Sequence, residues 1–200
     1  SRIRLKTDSH ILIYDDGSDK PIFLDSLFEN IILKRYSDNK GKGSVLIKAF
    51  NYAVENNFSH IITIDSDFQH NPDYIDLFLN IDEKVDLVVG NRSFSYPMPI
   101  HRRLSNYITS FIMSILIRKR IKDSQCGYRS YKVNSFHAHL CIEKGFHFES
   151  EILLKSMNNN SLIKHIDIET IYNKGNTSSI KNFSDTLKFI SLIRRSCIGF

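Results

Sequence analysis

Short apolar runs alternate with stretches of helical period along this chain of 200 residues. Runs rich in β-branched residues, each closed by polar or turn residues, predict strands near 11–14, 31–34, 61–65, 85–90 and 162–168. Between them, apolar positions at helical spacing predict helices over about 43–55, 73–80, 104–117, 148–157 and 183–195. Such alternation implies an α/β class with a mostly parallel central sheet flanked by helices. No repeat, low-complexity tract or linker interrupts it, so one domain over 1–200 is expected. Residues 1–6 read as the last turns of a helix, although a doubly wound domain opens on a strand, so a leading strand is missing from the pattern.

Two of the predicted strands end in carboxylates. In His60-Ile-Ile-Thr-Ile-Asp65-Ser-Asp67-Phe-Gln69-His70 a buried run leads directly into Asp-x-Asp, and Asn71-Pro72 stops it and can open a helix. Asp65, Asp67 and Gln69 therefore offer hard oxygen ligands for Mg²⁺ or Mn²⁺, which would neutralise a diphosphate. Taken alone, a solvated acidic turn would read the same way. His10-Ile-Leu-Ile-Tyr-Asp15-Asp16-Gly17-Ser18 has the same form, and two such strand ends side by side in one parallel sheet would converge on one crevice. Lys40-Gly41-Lys42-Gly43-Ser44 then opens a helix whose glycines would let backbone N–H groups approach an anion. It lacks the spacing of a P-loop, and a plain turn before a helix is the alternative.

Composition narrows the partners. With 42% hydrophobic and 24% charged residues the chain can bury an ordinary globular core. Its three cysteines, Cys126, Cys141 and Cys197, form no Cys-x-x-Cys pair, which argues against a disulfide framework or zinc cluster and for a reducing, cytoplasmic compartment. No secretory signal pattern opens the sequence. The formal charge of +5, concentrated in His101-Arg102-Arg103, Arg118-Lys119-Arg120 and Arg194-Arg195, points to anionic partners. Nucleic acid is not expected, because no RNA-binding aromatic signature, helix-turn-helix pattern or zinc finger is present. A membrane surface or phosphorylated lipid fits better. The run from Tyr107 to Ile117 is shorter than the ~18 apolar residues that span a bilayer, and arginines flank it. An interfacial amphipathic helix looks like this, as does a core helix with basic ends.

In order and spacing, Asp15-Asp16-Gly-Ser, Lys40-Gly-Lys-Gly, Asp65-Ser-Asp67-Phe-Gln69-His, Asp86-Leu-Val-Val-Gly-Asn-Arg92, Asp123-Ser-Gln-Cys-Gly-Tyr-Arg129, Phe146-His-Phe-Glu149 and Thr170-Ile-Tyr-Asn-Lys174-Gly-Asn-Thr-Ser-Ser179 resemble the family 2 glycosyltransferases, with the dolichyl- or polyprenyl-phosphate sugar synthases as the most similar subgroup. The resemblance covers nearly the whole chain. It implies a GT-A (nucleotide-diphospho-sugar transferase) fold, a nucleotide-sugar donor, a divalent metal, inversion at the anomeric carbon, a polyprenyl or dolichyl phosphate acceptor, and a peripheral place at the cytoplasmic face of a membrane. By the same resemblance Asp16 contacts the nucleoside, Asp15 and Gly41 lie at the donor, and Asp65, Asp67 and Gln69 at the metal and diphosphate. Arg92, Arg103, Arg129 and Lys174 correspond to basic groups facing the diphosphate and the acceptor phosphate. His101 and the 104–117 helix correspond to the segment that rests on the membrane. The family's first strand, with its Pro-x-Tyr-Asn-Glu-like segment, lies before Ser1 or does not exist.

The chemistry agrees with these roles. A departing nucleoside diphosphate gathers negative charge that a metal and arginines can stabilise. A lipid phosphate, with a second pKa near ~6, is already ionised at neutral pH and needs no general base. Glu149 and Glu151 are candidates for a base if the acceptor is a hydroxyl instead. Two other readings are open: a catalytically inactive GT-A-like module that binds a membrane surface, and a haloacid-dehalogenase-like phosphatase with Asp65 as nucleophile and Asp67 as acid/base.

Overall fold

In a computed structural model of the protein, which describes residues 2–24, 30–93, 98–171 and 182–198, the predicted alternation of strands and helices is present. The strands are β1 (Ile11–Asp15), β2 (Ile31–Arg35), β3 (His60–Thr63), β4 (Leu87–Arg92), β5 (Arg129–Lys132) and β6 (Ile163–Ile168). The α-helices are α1 (Lys42–Glu55), α2 (Ile75–Leu79), α3 (Ile100–Leu116), α4 (Phe148–Ser156) and α5 (Asn182–Ile198). Residues 2–6 form turns rather than the end of a helix, pinned by Arg2 to Asp73 and by Lys6 to Asp76.

The sheet differs from expectation in two ways. β1 and β2 pair in parallel as a separate two-stranded sheet, while β3, β5, β4 and β6 form a second sheet in that order. The two carboxylate-bearing strands are therefore not hydrogen-bonded neighbours. In addition β5, which the hydrophobic pattern did not reveal, runs antiparallel between β3 and β4, whereas β4 and β6 are parallel. Its residues Arg-Ser-Tyr-Lys carry no apolar run, yet three of the four are buried, because an inserted central strand is covered on both faces whatever its composition.

The core lies between this sheet and helices α1, α3 and α4. Phe50 of α1 packs edge-on against Tyr131 of β5, which packs in turn against Phe136. Phe148, Ile152 and Leu153 of α4 and Leu87, Val88 and Val89 of β4 are almost wholly excluded from solvent. Tyr128 stacks on Phe78 of α2 with ring centroids 4.2 Å apart.

Arg129 is the largest fully buried side chain, and its burial corrects the expectation that it faces a diphosphate. Its Nε donates to the Cys126 carbonyl at 2.7 Å, Nη2 to the Ser124 carbonyl at 2.7 Å and Nη1 to the Glu149 carbonyl at 3.1 Å. The guanidinium thus ties the 124–126 loop to the start of α4. Replacing Arg129 with Met keeps the length but strands three buried carbonyls, which should cost about 3 kcal/mol in urea unfolding. A loss under about 1 kcal/mol would contradict this bracing role.

Candidate functional site

Asp65 lies just past the end of β3 and turns toward α1 rather than outward. Its Oδ1 is 2.7 Å from Lys42 Nζ, and the same ammonium is 2.6 Å from Glu149 Oε1 on α4. A lysine in the first turn of a helix is opposed by the helix dipole, so its place there requires such carboxylates. Burial alone would lower the Lys42 pKa, but Glu149 and Asp65 outweigh it and raise it. Burial likewise pushes the Asp65 carboxyl up, and Lys42, with His70 and Arg92, outweighs that and holds it below the usual carboxylate range. His70 is buried beside Asp65, and loss of solvent lowers its pKa despite the carboxylate, so it is neutral at pH 7. Gly127 makes room for this cluster, since a Cβ there would lie 2.3 Å from Asp65 Oδ2.

The following loop carries Asp67 and Gln69. Asp67 is exposed, and its Oδ1 accepts the Gln69 N–H at 3.0 Å. Between them Phe68 adopts φ 61° with 79% of its surface exposed, an unfavourable conformation for a bulky side chain. Two anchors hold the loop in that shape: a bridge between His70 and Thr170, and the Ile171 N–H donating to the Gln69 carbonyl at 2.9 Å. In this shape Asp67 is exposed and Gln69 half-buried.

Asp16 reaches the same place by another route. Its two carboxylate oxygens accept the N–H groups of Lys40 at 2.8 Å and Gly41 at 2.9 Å. The strand ends therefore converge through the start of α1 and not through strand pairing. This corrects the expected role of the glycine segment, for the Gly41 N–H is held by Asp16 and the Gly43 N–H by the Lys144 carbonyl at 2.8 Å. The glycines serve close packing instead: a Cβ on Gly41 would lie 2.3 Å from the Lys144 carbonyl oxygen. Asp15 is also corrected. It is buried, accepts the Ser18 N–H at 2.9 Å, pairs with Arg35 and holds the turn after β1, so its carboxylate is engaged within the chain. Glu151 is excluded as a base in the same way, since its Oε2 accepts the N–H groups of Ile142 and Glu143.

Arg92, at the end of β4, makes a bidentate pair with buried Asp123, Nε to Oδ2 at 2.6 Å and Nη2 to Oδ1 at 3.0 Å. Its charge helps to lower the Asp65 carboxyl. Arg103 instead donates through Nε to the Met98 carbonyl at 2.7 Å. Lys174 lies outside the described residues.

Helix α3 begins four residues before the predicted 104, at Ile100 after Pro99, so His101, Arg102 and Arg103 lie inside it. Its amphipathicity is inverted. The buried face includes Asn106 and Ser110 beside Met113, while Leu104, Tyr107, Ile108, Phe111 and Ile115 are exposed. A helix serving only the core would do the reverse. No helix among the described residues is long and apolar enough to cross a membrane.

A model of glycosyl transferase family 2 matches residues 3–141. The chain belongs to this family. An uncharacterised protein of Methanocaldococcus jannaschii is 32% identical over 64% of the chain and 62% of its own length. The UDP-N-acetylglucosamine–dolichyl-phosphate N-acetylglucosaminyltransferase of Methanococcus voltae is 29% identical over 71% of the chain and 60% of its own length. The chain thus spans about three-fifths of these two relatives. Glucosyl-3-phosphoglycerate synthase of Mycobacterium tuberculosis, solved with Mn²⁺ and uridine-diphosphate-glucose, superposes with a TM-score of 0.63 at 14% identity, over 93% of the chain and 67% of that protein. The family 2 chain therefore has the GT-A fold, and the phosphatase alternative falls.

The sequence reading singled out Asp65, Asp67, Gln69 and Arg92, which the family 2 structure gathers in one region, but missed Lys42 and His70. The cation at the dipole-opposed end of α1 was the available signal for Lys42. Lys42→Met should leave Asp65 and Glu149 adjacent without a cation and cost about 2 kcal/mol, less than a fully buried pair because Lys42 retains some exposure. Adding Glu149→Gln should recover half or more of that loss. A Lys42→Met variant as stable as the wild type would show that the bridge holds nothing together.

Proposed function

We propose that this chain transfers a sugar from a nucleotide-sugar donor to a polyprenyl or dolichyl phosphate at a membrane surface. The observation that carries this reading is the strained loop that leaves Asp67 exposed, with Gln69 two residues on, beside the Lys42-held Asp65. The dolichyl-phosphate relative and the family assignment support the choice of acceptor.

The residues fit a divalent metal in a particular way. Among the described residues no three His, Cys, Asp or Glu side chains converge to form a closed metal cage. Mg²⁺ and Mn²⁺ bound with phosphates do not require one, since one or two protein oxygens suffice and the substrate completes the shell. Asp67 and Gln69 would hold the ion, which supplies Lewis-acid neutralisation of the departing diphosphate. Asp65, locked by Lys42, positions the loop and is not itself the principal ligand. Buried Glu149 Oε2 and His70 Nδ1 have no hydrogen-bond partner among the described residues, which leaves two fixed polar atoms for a donor to engage.

The protein's remaining work is orientation and charge. Arg92, held rigid by Asp123, places a cation beside the forming and breaking bonds, where it favours the developing negative charge. The acceptor phosphate, already ionised, attacks the anomeric carbon opposite the departing diphosphate, so one displacement inverts that carbon. No proton has to be removed, in keeping with Glu151 being engaged elsewhere. The outward apolar face of α3, with basic residues at both ends, suits a surface where a long-tailed acceptor resides.

Asp67→Asn should abolish Mn²⁺-dependent binding of UDP or GDP, measured by titration calorimetry. Its unfolding free energy should stay within ~0.5 kcal/mol of wild type, because the side chain is exposed. Unchanged metal-dependent nucleotide affinity would remove Asp67 from the site.

A further inference from the structure

A pocket of about 730 Å³ lies between α3 and the turn that follows it, within the size range of small-molecule sites, roughly 300–1,000 Å³. Its two walls differ in kind. One is the exposed apolar face of α3, with Tyr107, Phe111 and Ile115, and the other is the basic turn from Arg118 to Lys122. The floor is the end of β4, including Arg92.

We propose that this pocket takes the phosphomonoester and first prenyl units of an isoprenoid phosphate, with Arg118 and Arg120 recognising its head. The proposal rests on the function proposed above and assigns the acceptor end of it to particular residues.

The basic turn divides its labour. Lys119 Nζ donates to the Asn159 carbonyl at 2.5 Å, and Lys122 Nζ lies 4.0 Å from Asp167 while its N–H meets His165 Nε2 at 3.2 Å. Ser114 Oγ accepts the Ile121 N–H at 2.9 Å and fastens the turn to α3. These contacts fix the turn. Arg118 and Arg120, both exposed, have no ion-pair partner among the described residues. Arg118 also has φ 52°, the left-handed conformation in which helices usually end on glycine. An arginine there holds a strained backbone conformation, and both Arg118 and Arg120 line the pocket.

The occupant's chemistry follows from the walls. Arginines recognise phosphate oxygens through paired N–H donors, and a phosphomonoester is largely dianionic above pH ~6. Methylenes laid against the apolar wall leave water, so a tail belongs beside Tyr107, Phe111 and Ile115. The floor distinguishes an acceptor from bulk lipid: Arg92 lines the pocket from the carboxyl end of β4, and β3 and β4 both run antiparallel to β5 with Thr63 and Val89 opposite Arg129, so a phosphate held here lies at the same edge of the sheet as the Asp65–Gln69 loop. A bilayer phosphodiester would have no use for that connection. Arg103, which the resemblance also puts among the basic groups facing the phosphates, does not line the pocket.

The test measures binding of farnesyl phosphate, farnesol and inorganic phosphate to the full chain, and sedimentation with phosphatidylglycerol vesicles, for wild type and Arg118→Asn/Arg120→Ala. Asn preserves the left-handed backbone at 118. Mn²⁺–UDP binding is followed in parallel, and Arg120→Glu alone repeats the test should the double variant melt early. The expected result is farnesyl phosphate affinity about tenfold or more weaker in the variant, with much weaker binding of farnesol and inorganic phosphate to wild type and unchanged nucleotide binding. Equal affinity of wild type and variant for farnesyl phosphate would overturn the assignment of the two arginines and leave the proposed function standing. Wild type that binds Mn²⁺–UDP but no farnesyl phosphate would overturn the isoprenoid acceptor itself. Loss of vesicle binding with farnesyl phosphate affinity intact would make the turn a bilayer contact and overturn the pocket assignment.

Discussion

One ammonium group organises this molecule. Lys42 Nζ bridges Asp65, at the end of β3, and Glu149, at the start of α4. Remove that cation and two carboxylates face each other in a poorly solvated space, where mutual repulsion would drive the helix and the strand end apart. With it, α1, α4 and the Asp65 loop are mutually positioned, and Gly127 is required so that β5's approach leaves room for the carboxylate. The strained Phe68 and the outward Asp67 are tolerable only because Asp65 on one side and the His70–Thr170 bridge on the other hold the loop's ends.

Around that bridge, charged groups hold backbone in place. Asp15 fixes the turn after β1, Asp16 the entry to α1, Glu151 the 142–143 segment and Arg129 the 124–126 loop, each through hydrogen bonds to main-chain groups. Such contacts satisfy loops that cover the carboxyl ends of strands, where no ladder is available to do so. The consequence is a division among the charged residues of the motifs. Those with buried side chains shape loops, and Asp67, left toward solvent, is the one to which the proposed function assigns a ligand.

That division explains what the sequence disclosed. The positions of the helices and of five strands follow from periodicity, since burial on one face dictates spacing. β5 escaped because Arg129, Ser130 and Lys132 are polar, and the burial of Arg129 and Ser130 depends on partners distant in sequence, such as the Glu149 carbonyl 20 residues on. Asp-x-Asp was readable as a pair of carboxylates following a buried strand because its strand is local to it. The roles of Asp15 and Arg129 were not, because a motif fixes which residue is present and says nothing of which way it points. α3 offered two readings in sequence, and the burial of Asn106 and Ser110 with exposure of Phe111 and Ile115 identifies an outward-facing apolar surface.

A crystal structure of the chain grown with Mn²⁺ and UDP, with anomalous data collected at the manganese edge, tests the central claim most directly. The expected map has one manganese peak coordinated by Asp67 and the diphosphate, with Lys42 still bridging Asp65 and Glu149 and Arg92 beside the phosphates. A manganese ion bound between Asp65 and Glu149 in place of the Lys42 ammonium, or a diphosphate seated away from the Asp67 loop, would contradict it.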